Sequence, residues 1–165
     1  MIKILFVCHG NICRSPMAEF FFRSLVGQAG KQAFFEVASA ATSTEEIGNP
    51  VYPQARRKLA EHGIGCAGKT ARQMTADDYM TYDWLIGMDE ANIRNMRRIC
   101  GGDPKDKIRL LLSWAGRADA VADPWYTRDF EAAWQDITQG CRALFQTLCG
   151  EDCDKKSKYY YNLSF

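Results

Sequence analysis

Three residues near the start of the chain carry side chains that can perform nucleophilic or phosphate-binding chemistry: Cys8, Cys13 and Arg14. They stand in the stretch VCHGNICRSP, which follows a short apolar run and precedes a run with helical spacing. A cysteine thiolate is a nucleophile or a metal ligand, and an arginine fork can bind two phosphoryl oxygens at once. The stretch therefore has four interpretations: a metal site, a redox pair, a phosphate-binding loop, or a turn that happens to contain cysteines.

A metal site is disfavoured by the ligand spacing. Structural zinc sites use two close ligand pairs or a Cys/His quartet. Four residues separate Cys8 from Cys13, no second pair has a matching spacing, and the histidines are His9 and His62. We therefore expect no metal and no cofactor. The simplest alternative, in which Cys8 is a small buried residue ending a strand, does not explain the arginine, glycine and asparagine beside it.

A phosphate-binding loop explains these neighbours. A loop that enters a helix directs unpaired backbone N–H groups at a bound anion, and the helix dipole stabilises the anion. Gly10 permits close approach of the backbone, and Asn11 tolerates the left-handed conformation that such a loop requires. The same positive environment favours the thiolate of Cys8 as a nucleophile toward phosphorus. Ser15 can donate a hydrogen bond to that sulfur and help it leave later.

The elements that must position this loop alternate between strand and helix. Strands are predicted at residues 2–8, 33–39, 83–88 and about 107–112. Helices are predicted from Pro16 with Ser15 as N-cap, over 53–62, after Thr75, after Asp89 to about 99, and over 130–148. This order predicts an α/β fold, a doubly wound parallel sheet with helices on both faces. Ligands bind such sheets beyond the carboxyl ends of the strands, and the cysteine loop follows the first strand.

Composition restricts the class of protein. With 165 residues, 47% of them hydrophobic and 25% charged, we expect one domain over residues 1–150 and a C-terminal extension over 151–165 without an assigned role. The net charge of +1 argues against nucleic acid or a membrane as a partner, and no apolar run is long enough to span a bilayer. Seven cysteines without a disulfide-framework spacing indicate reduced thiols and a cytoplasmic location.

The stretch from Cys8 to Pro16 resembles the signature loop of the low-molecular-weight protein tyrosine phosphatases, Cys-x-Gly-Asn-x-Cys-Arg-Ser-Pro. The segments SAA from Ser39, ARQMT from Ala71 and MDEANIRNM from Met88 are also similar to that family, and the resemblance covers about residues 2–149. The resemblance implies a flavodoxin-like four-stranded fold and hydrolysis of phosphotyrosine through a cysteinyl-phosphate. The implied substrate is a phosphotyrosine-containing protein or a small aryl phosphate, and the product is phosphate.

The resemblance also implies a general acid in an Asp-Pro pair followed by aromatic residues. The segment ADPWYTRDF supplies Asp123, Pro124, Trp125 and Tyr126. Taken alone, this segment would be a helix-entry turn with two core aromatic residues. Combined with the cysteine loop it favours an acid beside a slot for an aryl ring, because a bound phosphate dianion favours the protonated form of the carboxyl group.

Three residues are therefore expected to be catalytic: Cys8, Arg14 and Asp123. The expected substrate-binding residues are His9, Gly10, Asn11, Ile12, Cys13, Ser15, Glu45, Trp125 and Tyr126. By analogy with the family, Ser39 supports Asn11. Two residues depart from the family pattern: Glu45 stands where many members have an aromatic residue, and Lys69 where some have a histidine. Cys13 is a candidate to trap an oxidised Cys8 as a disulfide.

Three alternatives remain. Protein-arginine phosphatases share the loop but tend to have threonine where this chain has Ile12, and this activity ranks second. An arsenate reductase of similar fold would need a close downstream cysteine pair, and only Cys149 and Cys153, in or beside the tail, are close together. A module that binds phosphorylated partners without turnover would need neither a nucleophile nor an acid.

Overall fold

The chain forms a four-stranded sheet in this computed structural model, which describes residues 1–150. The strands are β1 (Ile2–Cys8), β2 (Phe35–Ala41), β3 (Trp84–Gly87) and β4 (Ile108–Leu110). All neighbouring strands are parallel, in the order β2-β1-β3-β4. This confirms the predicted α/β sheet. The expected extension over 151–165 lies outside the described residues.

Helices cover both faces of the sheet. They are α1 (Arg14–Gln28), α2 (Pro53–Glu61), α3 (Ala76–Thr81), α4 (Glu90–Cys100), α5 (Pro124–Thr127) and α6 (Phe130–Cys149), with 3-10 turns at Gln32–Phe34 and Leu111–Ala115. One core joins α1, α2 and α6 to the sheet, and a second core joins α3 and α4 to its other face. None of the helices in residues 1–150 is long and apolar enough to cross a bilayer.

The strand β1 is apolar throughout because it lies in the middle of the sheet. Ile4 and Phe6 belong to one core, whereas Leu5 and Val7 belong to the other. Successive side chains of a strand point to opposite faces, so a strand buried on both faces shows no polar alternation. This rigid central strand carries Cys8 at its carboxyl end.

Two predicted helix starts and the last helix are confirmed. Asp78 Oδ2 accepts a hydrogen bond from the Thr75 N–H at 2.8 Å before α3, and Asp89 Oδ1 accepts one from the Asn92 N–H at 2.8 Å before α4. These contacts satisfy N–H groups that a helix start leaves without partners. The apolar stripe of α6, which includes Trp134, Ile137, Cys141 and Leu144, is buried against the sheet as its spacing predicts.

Element boundaries differ from the sequence prediction at three strands, and β3 is one residue shorter at each end than the predicted 83–88. The strand β2 begins at Phe35 instead of residue 33, because the preceding residues form a 3-10 turn. The strand β4 ends at Leu110, because the chain turns away from the sheet in a second 3-10 turn.

The start of α1 also differs. Ser15 was expected to be the N-cap, but α1 begins at Arg14 with Cys13 in the N-cap position and no side-chain cap. The Ser15 hydroxyl is instead engaged by the loop in front of the helix. Because no side chain caps α1, its first N–H groups remain available to an anion.

Candidate active site

A cavity lies at the carboxyl end of β1. Its lining consists of Cys8, His9, Gly10, Ile12, Cys13, Arg14, Glu45, Glu46, Asp123, Trp125 and Tyr126. The three residues expected to be catalytic all line this cavity, although Asp123 is far from the other two in the sequence. Within residues 1–150, no three His, Cys, Asp or Glu side chains are grouped so that they could hold a metal ion.

Cys8 lies at the base of the cavity with only 3% of its surface exposed. Two donors approach its sulfur: the backbone N–H of Asn11, with N 3.3 Å from Sγ, and the Ser15 hydroxyl, with Oγ 3.0 Å from Sγ. Hydrogen bonds in which a sulfur is the acceptor favour the ionised form of that sulfur. The direction of the Ser15 contact is therefore important.

The Asn11 side chain supplies a donor to Ser15. Its Nδ2 donates to Ser15 Oγ at 2.8 Å and to Ser39 Oγ at 2.9 Å, which uses both amide hydrogens. Ser15 Oγ accepts from Asn11, and its own hydrogen has two acceptors within reach, the Cys8 sulfur at 3.0 Å and the Ala40 carbonyl at 3.5 Å. The shorter contact favours donation to the sulfur. The backbone of Asn11 has a φ of 59°, in the left-handed region, which turns its N–H toward the same sulfur.

The side chains of Asn11 and Ser15 therefore lie behind the loop. They are almost completely buried and are not part of the cavity lining, where substrate-binding residues were expected. Ser39 contacts Asn11 at the position that the family analogy implies. These three side chains brace the loop from behind, so their contribution to a bound phosphate would come through the loop backbone.

A buried ion pair continues this brace away from the cavity. Ser39 Oγ donates to Glu19 Oε2, and Lys69 Nζ lies 3.3 Å from the same oxygen while donating to the Ser39 carbonyl at 3.0 Å. Burial lowers the pKa of Lys69, although the charge of Glu19 opposes this effect. A short chain of contacts therefore connects Lys69 to the loop around Cys8.

Arg14 is a large side chain that is almost completely buried, at 2% exposure. Its Nη1 donates to Asp89 Oδ2 at 2.7 Å and to the Val121 carbonyl at 2.9 Å, and its Nη2 donates to Asp123 Oδ2 at 3.1 Å. Burial alone would lower the pKa of Arg14, but the charges of Cys8, Asp123 and Asp89 raise it above the usual arginine value. The guanidinium therefore stays charged and is held in one orientation.

Asp123 and the two residues that follow its proline form one side of the cavity. Asp123 caps α5 through a hydrogen bond from the Trp125 N–H to Oδ1 at 3.0 Å, and its Oδ2 contacts Arg14. Trp125 packs edge-on against Tyr52 with ring centroids 5.1 Å apart, and the Arg128 guanidinium lies 5.5 Å from the Trp125 ring. The segment is thus the helix-entry turn of the simple interpretation, but Trp125 and Tyr126 are exposed instead of lying in the core, and they form an aromatic wall beside the carboxyl group.

Cys13 lines the cavity but differs chemically from Cys8. Burial, together with the charges of Cys8 and Asp123, raises the pKa of the Cys13 thiol. We therefore expect Cys13 to remain protonated while Cys8 is the nucleophile. Its role in trapping an oxidised Cys8 stays a prediction.

Two residues of the site were missed in the sequence. Asp89 was interpreted only as a helix cap, yet its second carboxylate oxygen holds Arg14. Its position directly after the third strand was a usable signal, because the ends of parallel strands meet at one edge of a sheet. Glu46 lines the cavity beside Glu45, and no signal in the sequence distinguished it.

Comparison with known proteins assigns the chain to a family. The family described as low molecular weight phosphotyrosine protein phosphatase matches residues 3–155. The chain belongs to this family. A low molecular weight protein-tyrosine-phosphatase of Bacillus subtilis, YfkJ, is 39% identical over 150 residues, which cover 90% of this chain and 96% of that protein. A low molecular weight phosphotyrosine protein phosphatase of Homo sapiens is 40% identical over 149 residues, covering 87% and 94% of the two chains.

Solved structures of the family have the same fold. The crystal structure of YfkJ matches with a TM-score of 0.87 at 39% identity, covering 90% of this chain and 94% of that one. A drosophila arginine phosphatase matches with a TM-score of 0.82 at 28% identity, covering 91% and 99%. The flavodoxin-like four-stranded architecture expected for this phosphatase family is therefore confirmed.

Proposed function

We propose that the chain hydrolyses phosphotyrosine in proteins, and small aryl phosphates, through a cysteinyl-phosphate intermediate. One observation supports this most directly: a single cavity is lined by a cysteine, a buried arginine and a carboxyl group, Cys8, Arg14 and Asp123. A thiolate attacks phosphorus, a guanidinium binds the phosphoryl oxygens, and a carboxyl group protonates the leaving oxygen. Membership of a family whose relatives are named tyrosine phosphatases agrees with this combination.

In the first step, the phosphoryl group binds to the loop amides of residues 9–14 and to Arg14. Asp123 Oδ2 lies 3.1 Å from Arg14 Nη2, so a phosphoryl group bound at the guanidinium has this carboxyl group beside its leaving oxygen. The Cys8 thiolate attacks phosphorus, the bond to the tyrosine oxygen breaks, and Asp123 gives that oxygen its proton. The products are tyrosine and the cysteinyl-phosphate.

In the second step, a water molecule attacks the phosphorus of the cysteinyl-phosphate. Asp123, now a carboxylate, accepts a proton from the water, and the sulfur–phosphorus bond breaks. The Ser15 hydroxyl, 3.0 Å from the sulfur, donates a hydrogen bond to the departing Cys8 thiolate. Phosphate is released as the product, and the proposed reaction uses no cofactor. A thiol nucleophile must remain reduced, so the proposal places the enzyme in the cytoplasm.

The test is hydrolysis of p-nitrophenyl phosphate with and without a chelator. We expect turnover that the chelator does not change, no turnover in Cys8→Ser, and retained phosphate binding by Cys8→Ser. Asp123→Asn should reduce the rate by about 10²–10⁴-fold, and more for basic leaving groups. Asp106→Asn, the same change on an exposed residue, is the control. Absence of turnover, or turnover that requires a metal, would contradict the proposal.

Protein-arginine phosphatase activity is the second candidate, because a solved structure similar to this chain is named an arginine phosphatase. Ile12 argues against it: its apolar side chain lines the cavity where members with that activity tend to have threonine. Peptides carrying phosphotyrosine, phosphoserine or phosphoarginine, assayed side by side, separate the two. We expect phosphotyrosine to have the highest kcat/KM, and a higher value for phosphoarginine would replace the first candidate by the second.

A further inference from the structure

Two carboxylate side chains contact consecutive residues of the phosphate-binding loop: Glu45 contacts His9, and Glu46 contacts Gly10. Glu45 Oε2 lies 2.9 Å from His9 Nε2, and this hydrogen-bonded contact joins the loop after β2 to the residue that follows Cys8. The stem of Glu46 packs against Gly10, where an added Cβ would lie 3.3 Å from Glu46 Cγ. Both carboxylates are thus held at one edge of the cavity by contacts with the loop itself.

The depth of these groups differs from that of the nucleophile. The Glu45 side chain is 68% exposed, whereas Cys8 is 3% exposed at the base of the same cavity. A phosphotyrosine side chain that reaches Cys8 therefore leaves its own peptide backbone at the level of the edge. Residues next to the phosphotyrosine would meet Glu45 and Glu46, not the interior of the site.

The charged groups of the cavity make this edge unfavourable for acidic neighbours. Its lining contains three carboxylates, Glu45, Glu46 and Asp123, and the basic groups are Arg14 and His9. The guanidinium of Arg14 is buried, already contacts Asp123, and would be taken by the phosphoryl group of a substrate. His9 is paired with Glu45, so Glu46 adds a carboxylate with no basic partner at hydrogen-bond distance in the lining; its Oε2 accepts from the amide of Asn49 at 2.6 Å.

Another part of the cavity lining is aromatic. Trp125 is 41% exposed and Tyr126 is 80% exposed, and both line the cavity. This side suits the apolar ring of the substrate, whereas the edge formed by Glu45 and Glu46 suits a cation. The two sides therefore recognise different parts of one peptide.

We propose that Glu45 and Glu46 determine substrate specificity by selecting phosphotyrosine residues that have lysine or arginine neighbours. This inference rests on the proposed function and adds the substrate class. His9 acts as a positioning residue that holds Glu45 at the edge. Interactions between exposed charges change a rate by a few-fold each, so we expect about a threefold preference per carboxylate at low salt.

The experiment uses three phosphotyrosine peptides that differ only in the two residues on each side of the phosphotyrosine: lysine, alanine or glutamate. We expect kcat/KM to fall in the order lysine, alanine, glutamate, and the differences to decrease as salt screens the charges. In Glu45→Gln and in Glu46→Gln, the ratio of the lysine to the glutamate peptide should fall about threefold each. The double variant should nearly lose the preference.

Glu36→Gln is the matched control. It removes the same charge from β2 at the opposite end of the sheet, where Glu36 pairs with Lys3, and should leave the peptide ratio unchanged. Equal kcat/KM for the three peptides, or a ratio that the two cavity variants do not change, would overturn the inference while leaving the proposed function intact. No turnover of any of these peptides would instead contradict the proposed function itself.

Discussion

Lys69 forms an ion pair with Glu19 behind the phosphate-binding loop, with Lys69 Nζ 3.3 Å from Glu19 Oε2. The Glu19 side chain is 3% exposed and that of Lys69 14%, so water screens the pair weakly. Glu19 accepts from Ser39, which accepts from Asn11, whose backbone N–H contacts the Cys8 sulfur. A charge far from the cavity is thereby connected to the orientation of the nucleophile.

Lys69→Met is expected to disturb this connection. The variant leaves Glu19 buried with Arg23 as its remaining cationic partner, which should lower the free energy of unfolding by about 1–3 kcal/mol. Loss of this cation weakens the hold on Glu19, and through Ser39 it disturbs the hydrogen bonds that position Asn11 at the Cys8 sulfur. We therefore expect kcat to fall and the profile of Cys8 alkylation by iodoacetamide to differ from that of the wild type.

Lys69→Arg keeps the positive charge and is the control for this variant. It should retain the alkylation profile of the wild type. A Lys69→Met enzyme that loses stability but keeps both kcat and the alkylation profile would show that the pair serves the fold alone.

Much of the fold could be predicted because its signals are local. The uniformly apolar β1 and the stripe of α6 each follow from a short segment and its periodicity. The contact of the Ser15 hydroxyl with the Cys8 sulfur could be predicted from the chemistry of the loop, whereas its contact with Asn11 could not. A helix start accepts serine as a cap, so the local pattern also predicted an N-cap role that the structure does not show.

Site residues could be predicted where their spacing in the sequence was distinctive, and not where a simpler structural role already explained the residue. The Cys8 loop has a distinctive spacing, whereas the acid role of Asp123 depended on resemblance to a family. Asp89 was hidden because helix capping already explained it, and a carboxylate has a second oxygen whose use depends on the fold. Contacts such as that of His9 with Glu45 join distant segments, so their partners were not evident in the sequence.

The hydrogen bonds of Asp103 lead us to expect that the free energy of unfolding depends on pH in the acidic range. Burial alone would raise its pKa, but hydrogen bonds from the Tyr79 hydroxyl at 2.7 Å and from the backbone N–H groups of Lys107 and Ile108 hold the pKa of Asp103 below its usual value. A carboxyl with a lower pKa in the folded state stabilises the fold above its unfolded pKa of about 4, and this contribution is lost as the pH falls further.

Asp103→Asn should therefore lower the free energy of unfolding by about 1–3 kcal/mol at pH 7. The difference from the wild type should become smaller below about pH 4, as measured by urea denaturation over a pH series. Asp77→Asn, the same change on an exposed residue of α3, should produce a small difference. A difference for Asp103→Asn that does not vary with pH would exclude the charge as its cause.

Gly140 lies where α6 closely approaches the 3-10 turn at Leu111–Ala115. An added Cβ would lie 2.5 Å from Cγ of Leu111, which is completely buried. We expect Gly140→Ala to lower the free energy of unfolding, because the steric overlap costs about 1–3 kcal/mol and exceeds the gain in helix propensity of about 1 kcal/mol.

Gly27→Ala in α1, where the nearest atom is 3.8 Å away, should instead stabilise the fold slightly. Thermal unfolding of both variants checks the opposite signs, and equal shifts would refute the close approach.

Asp89→Asn separates the two functions of this residue. Asparagine caps a helix about as well as aspartate, so α4 and the melting temperature should change little. When the side-chain oxygen of the new asparagine accepts the capping hydrogen bond from the Asn92 N–H, its amide NH2 faces Nη1 of Arg14. Two donors then face each other, and the contact at 2.7 Å is lost. Since a misplaced catalytic group costs up to about a hundredfold, we expect kcat/KM to fall by about 10–100-fold.

The matched control is Asp129→Asn, because Asp129 caps α6 through the Ala132 N–H at 2.9 Å and is outside the cavity lining. This variant changes the same functional group at the same helix position without touching Arg14, and should keep the wild-type kcat/KM. Phosphate affinity, measured alongside, should fall in Asp89→Asn and not in Asp129→Asn. If both variants lose activity in proportion to their stability, capping accounts for the role of Asp89 and the orientation of Arg14 does not depend on it.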